Sequence, residues 1–278
     1  MKDSFELVPG EPHKLDAAVT RIIAPNAGVM TGPGTNTYLI GTRELIVIDP
    51  GPDDESHMQT ILAAAAGRIR WILCTHTHMD HAPGAVRLKQ LSGAAVAAMK
   101  PPRTDHDFQL RVDRGLSDGD LVEIADASIR ALHTPGHASN HLCYLLSGSR
   151  MLFTGDHIMQ GSTVVIWPPD GNMRAYVDSL RNLLKVDVAI LAPGHGHLID
   201  NPHSELNRLI EHRLHREDKV RRAVARAGTA VTIEALLPYA YDDVSKSLHK
   251  WAAMSLQAHL DKLVEDGELR CAAGRYSV

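Results

Sequence analysis

The densest chemistry in the chain lies at His76-Thr77-His78-Met79-Asp80-His81, where four side chains able to bind metal fall within six residues. Imidazole nitrogen and carboxylate oxygen together suit zinc, and a tight loop can split such a run so that alternate residues face two adjacent ions. Three further donors follow in the chain: His137 in HTPGH, Asp156 in TGD and His195 in PGHG. Each of these short turns is common by itself. Four such signals in one order, with glycines that let backbone approach closely, point to a metal centre. The chain holds 17 histidines, so position rather than number carries the argument.

Such donors need strands to bring them together. Five short apolar runs end at or near one of them: Leu45 to Ile48 before Asp49, Trp71 to Thr75 before His76, Ile129 to Leu132 before His137, Met151 to Thr154 before Asp156, and Val188 to Leu191 before His195. Pro or Gly closes each run, which predicts ligands gathered along one edge of a sheet. Helices are expected over about 55 to 66, after Asp53 and Asp54 as caps, over 82 to 91 with Pro83 in its first turn, and over about 173 to 185. Strands alternating with helices predict an α/β core. Ala18 to Ala24 and Thr37 to Ile40 flank the turn-rich PNAGVMTGPGTN with no helix between them, so part of the sheet is expected to be antiparallel.

The pattern changes after about Asp200. Ser204 to Arg226 reads as one long helix with Leu206, Leu209, Ile210 and Leu214 on one face. Thr232 to Tyr239, a helix from near Ser245 to Glu265, and a strand pair around Glu268 to Val278 follow, in the order of a winged helix. The division expected is 1–202 for a catalytic domain and 203–278 for a winged-helix-like domain.

Composition sets the outer bounds. The 278 residues, 44% hydrophobic and 22% charged, suit a folded globular chain, and a net charge of −4 offers no global attraction to nucleic acid or to an anionic membrane. Three cysteines without CxxC spacing argue against a disulfide framework, and the stretch MKDSFELVPGEPHKLD has no apolar core of signal-peptide length. A cytoplasmic protein with no membrane partner is expected.

His76, His78, Asp80 and His81 match the HxHxDH motif, and the chain resembles the metallo-β-lactamase superfamily over roughly residues 18 to 200. The resemblance implies an αβ/βα sandwich and two metal ions, zinc with iron or manganese as substitutes. It implies a first site of His76, His78 and His137, a second of Asp80, His81 and His195, and Asp156 as the bridge. Asp80 and His81 are assigned to catalysis as well as to metal binding. Asp49 matches the family's first motif, an Asp at a strand end that supports the site. GPGTNTYLIG at 32 to 41 and the winged-helix-like tail are similar to the β-lactamase-like protein 2 group. Two ions about 3.5–4 Å apart can share a water and lower its pKa to about 7, giving a bridging hydroxide as nucleophile. The activity implied is hydrolysis of an ester, thioester or lactone. Cleavage of single-stranded RNA is the alternative, and a mononuclear iron sulfur dioxygenase a third reading. The partner expected is a small molecule, and a homodimer is compatible with the sequence.

Other residues keep two readings. His141 either supports a ligand or touches substrate, or else is a satisfied structural histidine. His157 and His133 read as structural. Thr35, Asn36 and Thr37 either line the mouth of the site or simply join two strands. Trp167 is either a substrate contact or a loop residue folded onto the core, and Cys74 reads as packing. Between Arg208 and Arg226 seven basic residues face three acids, which fits a solvated helix face better than a phosphate-binding stripe. The helix from Ser245 carries Lys246, Lys250 and Lys262 beside Asp261 and Glu265, with Leu248, Trp251, Met254, Leu256, Leu260 and Leu263 for packing, so duplex DNA is not an expected partner.

Overall fold

Residues 6–102 and 107–278 are described in a computed structural model, and the first five residues of the stretch read for a signal lie outside them. The contacts divide the chain into two compact units. The first holds residues 1–134, 140–163 and 187–202; the second holds 135–139, 164–186 and 203–278. The second unit therefore takes in two internal segments as well as the tail.

In the first unit, a seven-stranded sheet follows chain order: β1 (His13–Lys14), β2 (Val19–Ile23), β3 (Asn36–Ile40), β4 (Leu45–Ile48), β5 (Ile69–Leu73), β6 (Ala95–Ala98) and β7 (Arg114–Gly115). Strands β1 to β4 pair antiparallel, with Tyr38 opposite Ile48, and β4 to β7 pair parallel. The change of direction follows the connections, since α1 (Glu55–Ala65) and α2 (Gly84–Ser92) return the chain between the parallel strands. Asp54 caps α1 by accepting from His57 N at 2.9 Å. A second sheet is built from β8 (Leu121–Ile124), β9 (Ala127–His133), β10 (Leu142–Leu146) and β11 (Met151–Gly155), all antiparallel, with β12 (Ile190–Pro193) added parallel to β11.

Alternation along β4 shows how the layers form. Ile46 and Ile48 join Tyr38, Tyr144 and Phe153 between the two sheets, whereas Leu45 and Val47 face Met58 and Ile61 of α1 and Leu88 of α2. Burying each such aliphatic side chain contributes about 1.5–3 kcal/mol. Two tyrosines also tie strand ends across the sandwich: Tyr38 Oη donates to Pro193 O, and Tyr144 Oη donates to Cys74 O, both at 2.8 Å.

The expectation of one sheet edge needs correction. Asp49 and His76 follow β4 and β5 of the first sheet, while Asp156 and His195 follow β11 and β12 of the second. Hydrophobic runs predict strands but carry no information about which sheet a strand joins. The two sheets, packed face to face, bring these ends together.

The second unit contains α3 (Met173–Leu183), α4 (Pro202–Ala227), α5 (Ile233–Ala240) and α6 (His249–Glu265), then the hairpin β13 (Arg270–Ala272) and β14 (Arg275–Ser277). Val220, Val224, Leu236, Leu256, Leu260, Leu263 and Tyr276 share one apolar core. No helix among the described residues is long and apolar enough to cross a membrane.

Candidate metal centre

Asp49 organises the first unit's part of the site. It follows β4 with φ 49°, a left-handed conformation that an aspartate tolerates better than most residues. Its Oδ1 accepts from Thr75 N at 2.7 Å, and its Oδ2 accepts from Thr75 Oγ1 at 2.7 Å and pairs with His81 Nδ1 at 2.9 Å. The Thr75 hydroxyl proton goes to Asp49, so its oxygen accepts from His76 Nδ1 at 3.0 Å. One carboxylate thus sets both rings: each donates through Nδ1 and keeps a lone pair on Nε2. His195 reaches the same tautomer by donating from Nδ1 to Gly34 O at 3.1 Å.

The lone pairs converge. Asp80, His81, Asp156 and His195 each offer a donor atom, all within 4.8 Å of one another. His81 Nε2 lies 3.4 Å from Asp156 Oδ1 and 3.6 Å from Asp80 Oδ2, and His195 Nε2 lies 3.3 Å from each of the same oxygens. These spacings exceed a good N–H···O bond. They fit neighbouring ligands on one tetrahedral ion, which bonds of about 2.0–2.1 Å place about 3.3–3.4 Å apart. His81 Nε2 and His195 Nε2 are also buried without a hydrogen-bond partner among the described residues, a cost that a bound cation removes.

Electrostatics agree. Burial disfavours charge on His81, yet the carboxylates of Asp80, Asp156 and Asp49 outweigh it and push its pKa well above the usual value. His195 is likewise held back by burial and pushed up to about 9 by Asp156 and Asp80. Burial raises Asp80, but His81 and His195 bring it down to about 2. The carboxylates thus favour positive charge at this cluster.

His76 and His78 form a second pair, with Nε2 of one 3.0 Å from Nδ1 of the other and ring centroids 4.5 Å apart. His137 belongs to the second unit, where its Nδ1 donates to Val165 O at 2.8 Å. That bond leaves the lone pair of a neutral His137 ring on Nε2. His141 Nδ1 lies 2.9 Å from Thr134 Oγ1, and its ring stacks on His76 with centroids 5.1 Å apart. His157 is buried, with its ring 5.7 Å from that of His141.

Thr35, Asn36 and Thr37 do more than join strands. They are buried, and each holds the backbone of a ligand loop: Thr35 Oγ1 donates to Asp80 O at 3.0 Å, Asn36 Nδ2 donates to Pro193 O and Gly196 O at 2.9 Å, and Thr37 Oγ1 donates to Asp49 O at 2.6 Å. His57 Nε2 then meets Thr37 Oγ1 at 2.8 Å, so it accepts nothing and the hydroxyl accepts from it. Burial lowers the His57 pKa to about 4, which keeps it neutral. Sequence reasoning singled out the triplet but missed its partners, His57 included, and missed the Thr75 relay. The available signal was the polar triplet TNT running directly into the apolar YLI of β3.

Gly194 is required by proximity. A Cβ there falls 2.7 Å from His81 Cε1 and 2.8 Å from Asp156 Oδ1, so the PGHG turn approaches the donors only as glycine.

Against this geometry, residues 30–195 match the metallo-beta-lactamase superfamily and residues 232–274 match the beta-lactamase associated winged helix domain. The chain belongs to the metallo-β-lactamase superfamily. It is 31% identical over 262 residues to the beta-lactamase-like protein 2 homolog of Caenorhabditis elegans, covering 92% of this chain and 87% of that protein. It is also 31% identical over 218 residues to the atrochrysone carboxyl ACP thioesterase of Aspergillus fumigatus, covering 76% of this chain and 66% of that one. Among solved structures, a beta-lactamase domain protein from Burkholderia ambifaria superposes with TM-score 0.82 at 19% identity, over 99% of this chain and 95% of that one. A metallo-beta-lactamase family protein from Thermus thermophilus gives TM-score 0.78 at 19% identity, over 95% of this chain and 99% of that one. With the two family matches, these show the fold: a metallo-β-lactamase domain with a C-terminal winged helix.

Proposed function

We propose that the chain is a metal-dependent hydrolase of a small acyl thioester, ester or lactone. The cluster of Asp80, His81, Asp156 and His195, with donor spacings of 3.3–3.6 Å, carries this reading. His76, His78 and His137 would hold one ion, Asp80, His81 and His195 the other, and Asp156 both. Two zinc ions held there would supply Lewis acidity toward a carbonyl oxygen and would make water acidic near neutral pH. The chain's own part is to fix the rings by their Nδ1–H bonds, to keep the pocket anionic through Asp80 and Asp156, and to brace the loops through Thr35, Asn36 and Thr37. No thiol competes as nucleophile in the first unit: burial raises Cys74 well above its usual value and Cys143 to about 12. The thioesterase name of the Aspergillus fumigatus relative supports the thioester over other acyl substrates. The three free cysteines support a reducing compartment, and we place the protein in the cytoplasm.

The basic residues of α4 give no support to RNA cleavage. Of the seven, Arg208, Lys219, Arg221 and Arg222 pair with Glu205, Asp242, Asp218 and Asp218 respectively, and Arg213 and Arg216 are buried. Arg226 alone is left exposed with no carboxylate partner among the described residues, too little for a phosphate-binding stripe. The test is elemental analysis of purified protein followed by a panel of acyl thioesters, esters, lactones and single-stranded RNA. About two zinc equivalents with turnover on the acyl substrates are expected. One iron per chain, or turnover confined to RNA, overturns the reading.

A further inference from the structure

The second unit does more with His137 than carry it. The Pro135–Ser139 segment is held by α3 and the residues before it: Ser179 Oγ donates to Pro135 O at 2.8 Å, Asn172 N donates to Gly136 O at 2.8 Å, and Ser139 N donates to Asp170 Oδ2 at 2.9 Å. Gly136, at φ 142°, packs so close to Tyr176 that a Cβ would lie 2.4–2.6 Å from Tyr176 Cα, Cβ and N. The backbone of the ligand segment is therefore seated on one helix start.

The imidazole itself is aimed by a different part of the unit. Its Nδ1–H donates to Val165 O, and the residues on either side of Val165 are each fastened to a C-terminal helix. Arg213 of α4 donates through Nη2 to Val164 O at 2.6 Å. Ser255 Oγ of α6 accepts from Ile166 N at 3.3 Å. Arg213 is buried, lies 5.1 Å over the Tyr176 ring, and makes no ion pair among the described residues. A buried guanidinium is costly to keep, so its donation to one backbone carbonyl is a specific use of charge-assisted hydrogen bonding.

We infer that Arg213 and Ser255 are positioning residues for metal binding: they fix residues 164–166, so that Val165 O holds His137 in the tautomer and orientation of a ligand. The winged-helix region thereby tunes one ion without contributing a ligand from α4 or α6. Partners that orient a metal-binding imidazole in this way change metal affinity by about 10–100-fold when lost. This inference rests on the ligand role proposed for His137, and the controls below separate the two.

The test uses the full-length chain stripped of metal and titrated with zinc alone, with the histidine ring nitrogens followed by NMR in the metal-free state. Ser255→Ala removes one oxygen, and Arg213→Met keeps the side-chain stem while removing its donors. Each is expected to weaken one of the two zinc-binding steps by about tenfold, to leave the other step unchanged, and to alter the hydrogen-bonded Nδ1–H resonance of His137. His137→Ala is the control for the ligand role. If it still binds two zinc ions at wild-type affinity, the ligand reading fails. If it loses one ion while Ser255→Ala and Arg213→Met keep both affinities and the His137 resonance, the positioning role is overturned. Should Arg213→Met fail to fold, Ser255→Ala decides the matter alone.

Discussion

Buried histidines in this chain divide by their neighbours: His57 of the first unit, like His259 of the second, has its pKa lowered to about 4 by burial, whereas His81 and His195 of the metal cluster do not. In the first unit His81 and His195 sit against Asp80 and Asp156, and their pKa values rise. In the second, burial brings His259 down to about 4 despite Glu217 nearby, and burial with Arg213, Arg216 and Arg208 brings His212 to about 4. His81 and His259 are equally enclosed; the three carboxylates around His81 outweigh its burial, and the single Glu217 beside His259 does not. An imidazole ringed by several carboxylates attracts a cation, and one with a single carboxylate or with arginines nearby favours the neutral form. Counting histidines in the sequence therefore says little, whereas the Asp residues interleaved with them say much.

The largest expected effect comes from taking the decisive carboxylate away. Asp156→Ala should lose a metal ion and lower turnover by about 10²–10³-fold or more, the scale set by losing one strong electrostatic contact in a catalytic site. In the metal-free variant His81 and His195 should titrate lower, toward the behaviour of His259. NMR titration with metal analysis checks this, and unchanged titration of both histidines breaks the comparison.

Acid should act next, through the buried histidines whose pKa is lowered, His259 in the second unit and His57 in the first. His259 has a folded pKa below its unfolded value near 6.5, so the unfolded chain binds the extra proton. Stability is complete above about 6.5 and is lost as pH falls toward about 4, by on the order of 2–3 kcal/mol for this fully buried ring. Denaturant unfolding between pH 7 and 4.5 measures it. A His259→Leu chain with the same acid loss would exclude His259 as the cause.

Asp49→Ala removes the carboxylate that orients His76 and His81 without touching an ion itself. Metal affinity should fall by about 10–100-fold, measured by competition with a chromophoric chelator. A binding curve matching wild type would reduce Asp49 to a packing role. The smallest effect distinguishes the units by thiol chemistry: Cys271 is exposed, while Cys74 and Cys143 are buried with raised pKa values. A neutral-pH maleimide should label one thiol per folded chain, and labelling of all three would contradict the enclosed core.

What the sequence disclosed follows the range of the interaction. The HTHMDH loop, Asp54 as a cap and β4 at Leu45–Ile48 depend on neighbouring residues, and they were legible. The short strands β6, β8 and β10 were passed over, because Ala-rich AVAA and isolated runs such as LVEI lack a strong signal of their own. The assignment of 135–139 and 164–186 to the second unit was invisible, since it depends on pairs such as Ser179 with Pro135 and Arg213 with Val164. The Thr35–Thr37 brace was half legible: the residues drew notice, but their partners at Asp80, Pro193 and Asp49 lie far along the chain.

The pairing of β12 with β11 also imposes an order in time. His195 follows the last strand of its sheet, and that strand pairs in parallel, a non-local contact that forms slowly. During synthesis the His76–His81 loop leaves the ribosome long before His195, so the early chain presents an incomplete chelator. Only when β12 docks do Asp80, His81 and Asp156 gain their fourth donor. The completed donor set is therefore a product of the sheet's last pairing rather than of the HTHMDH loop alone.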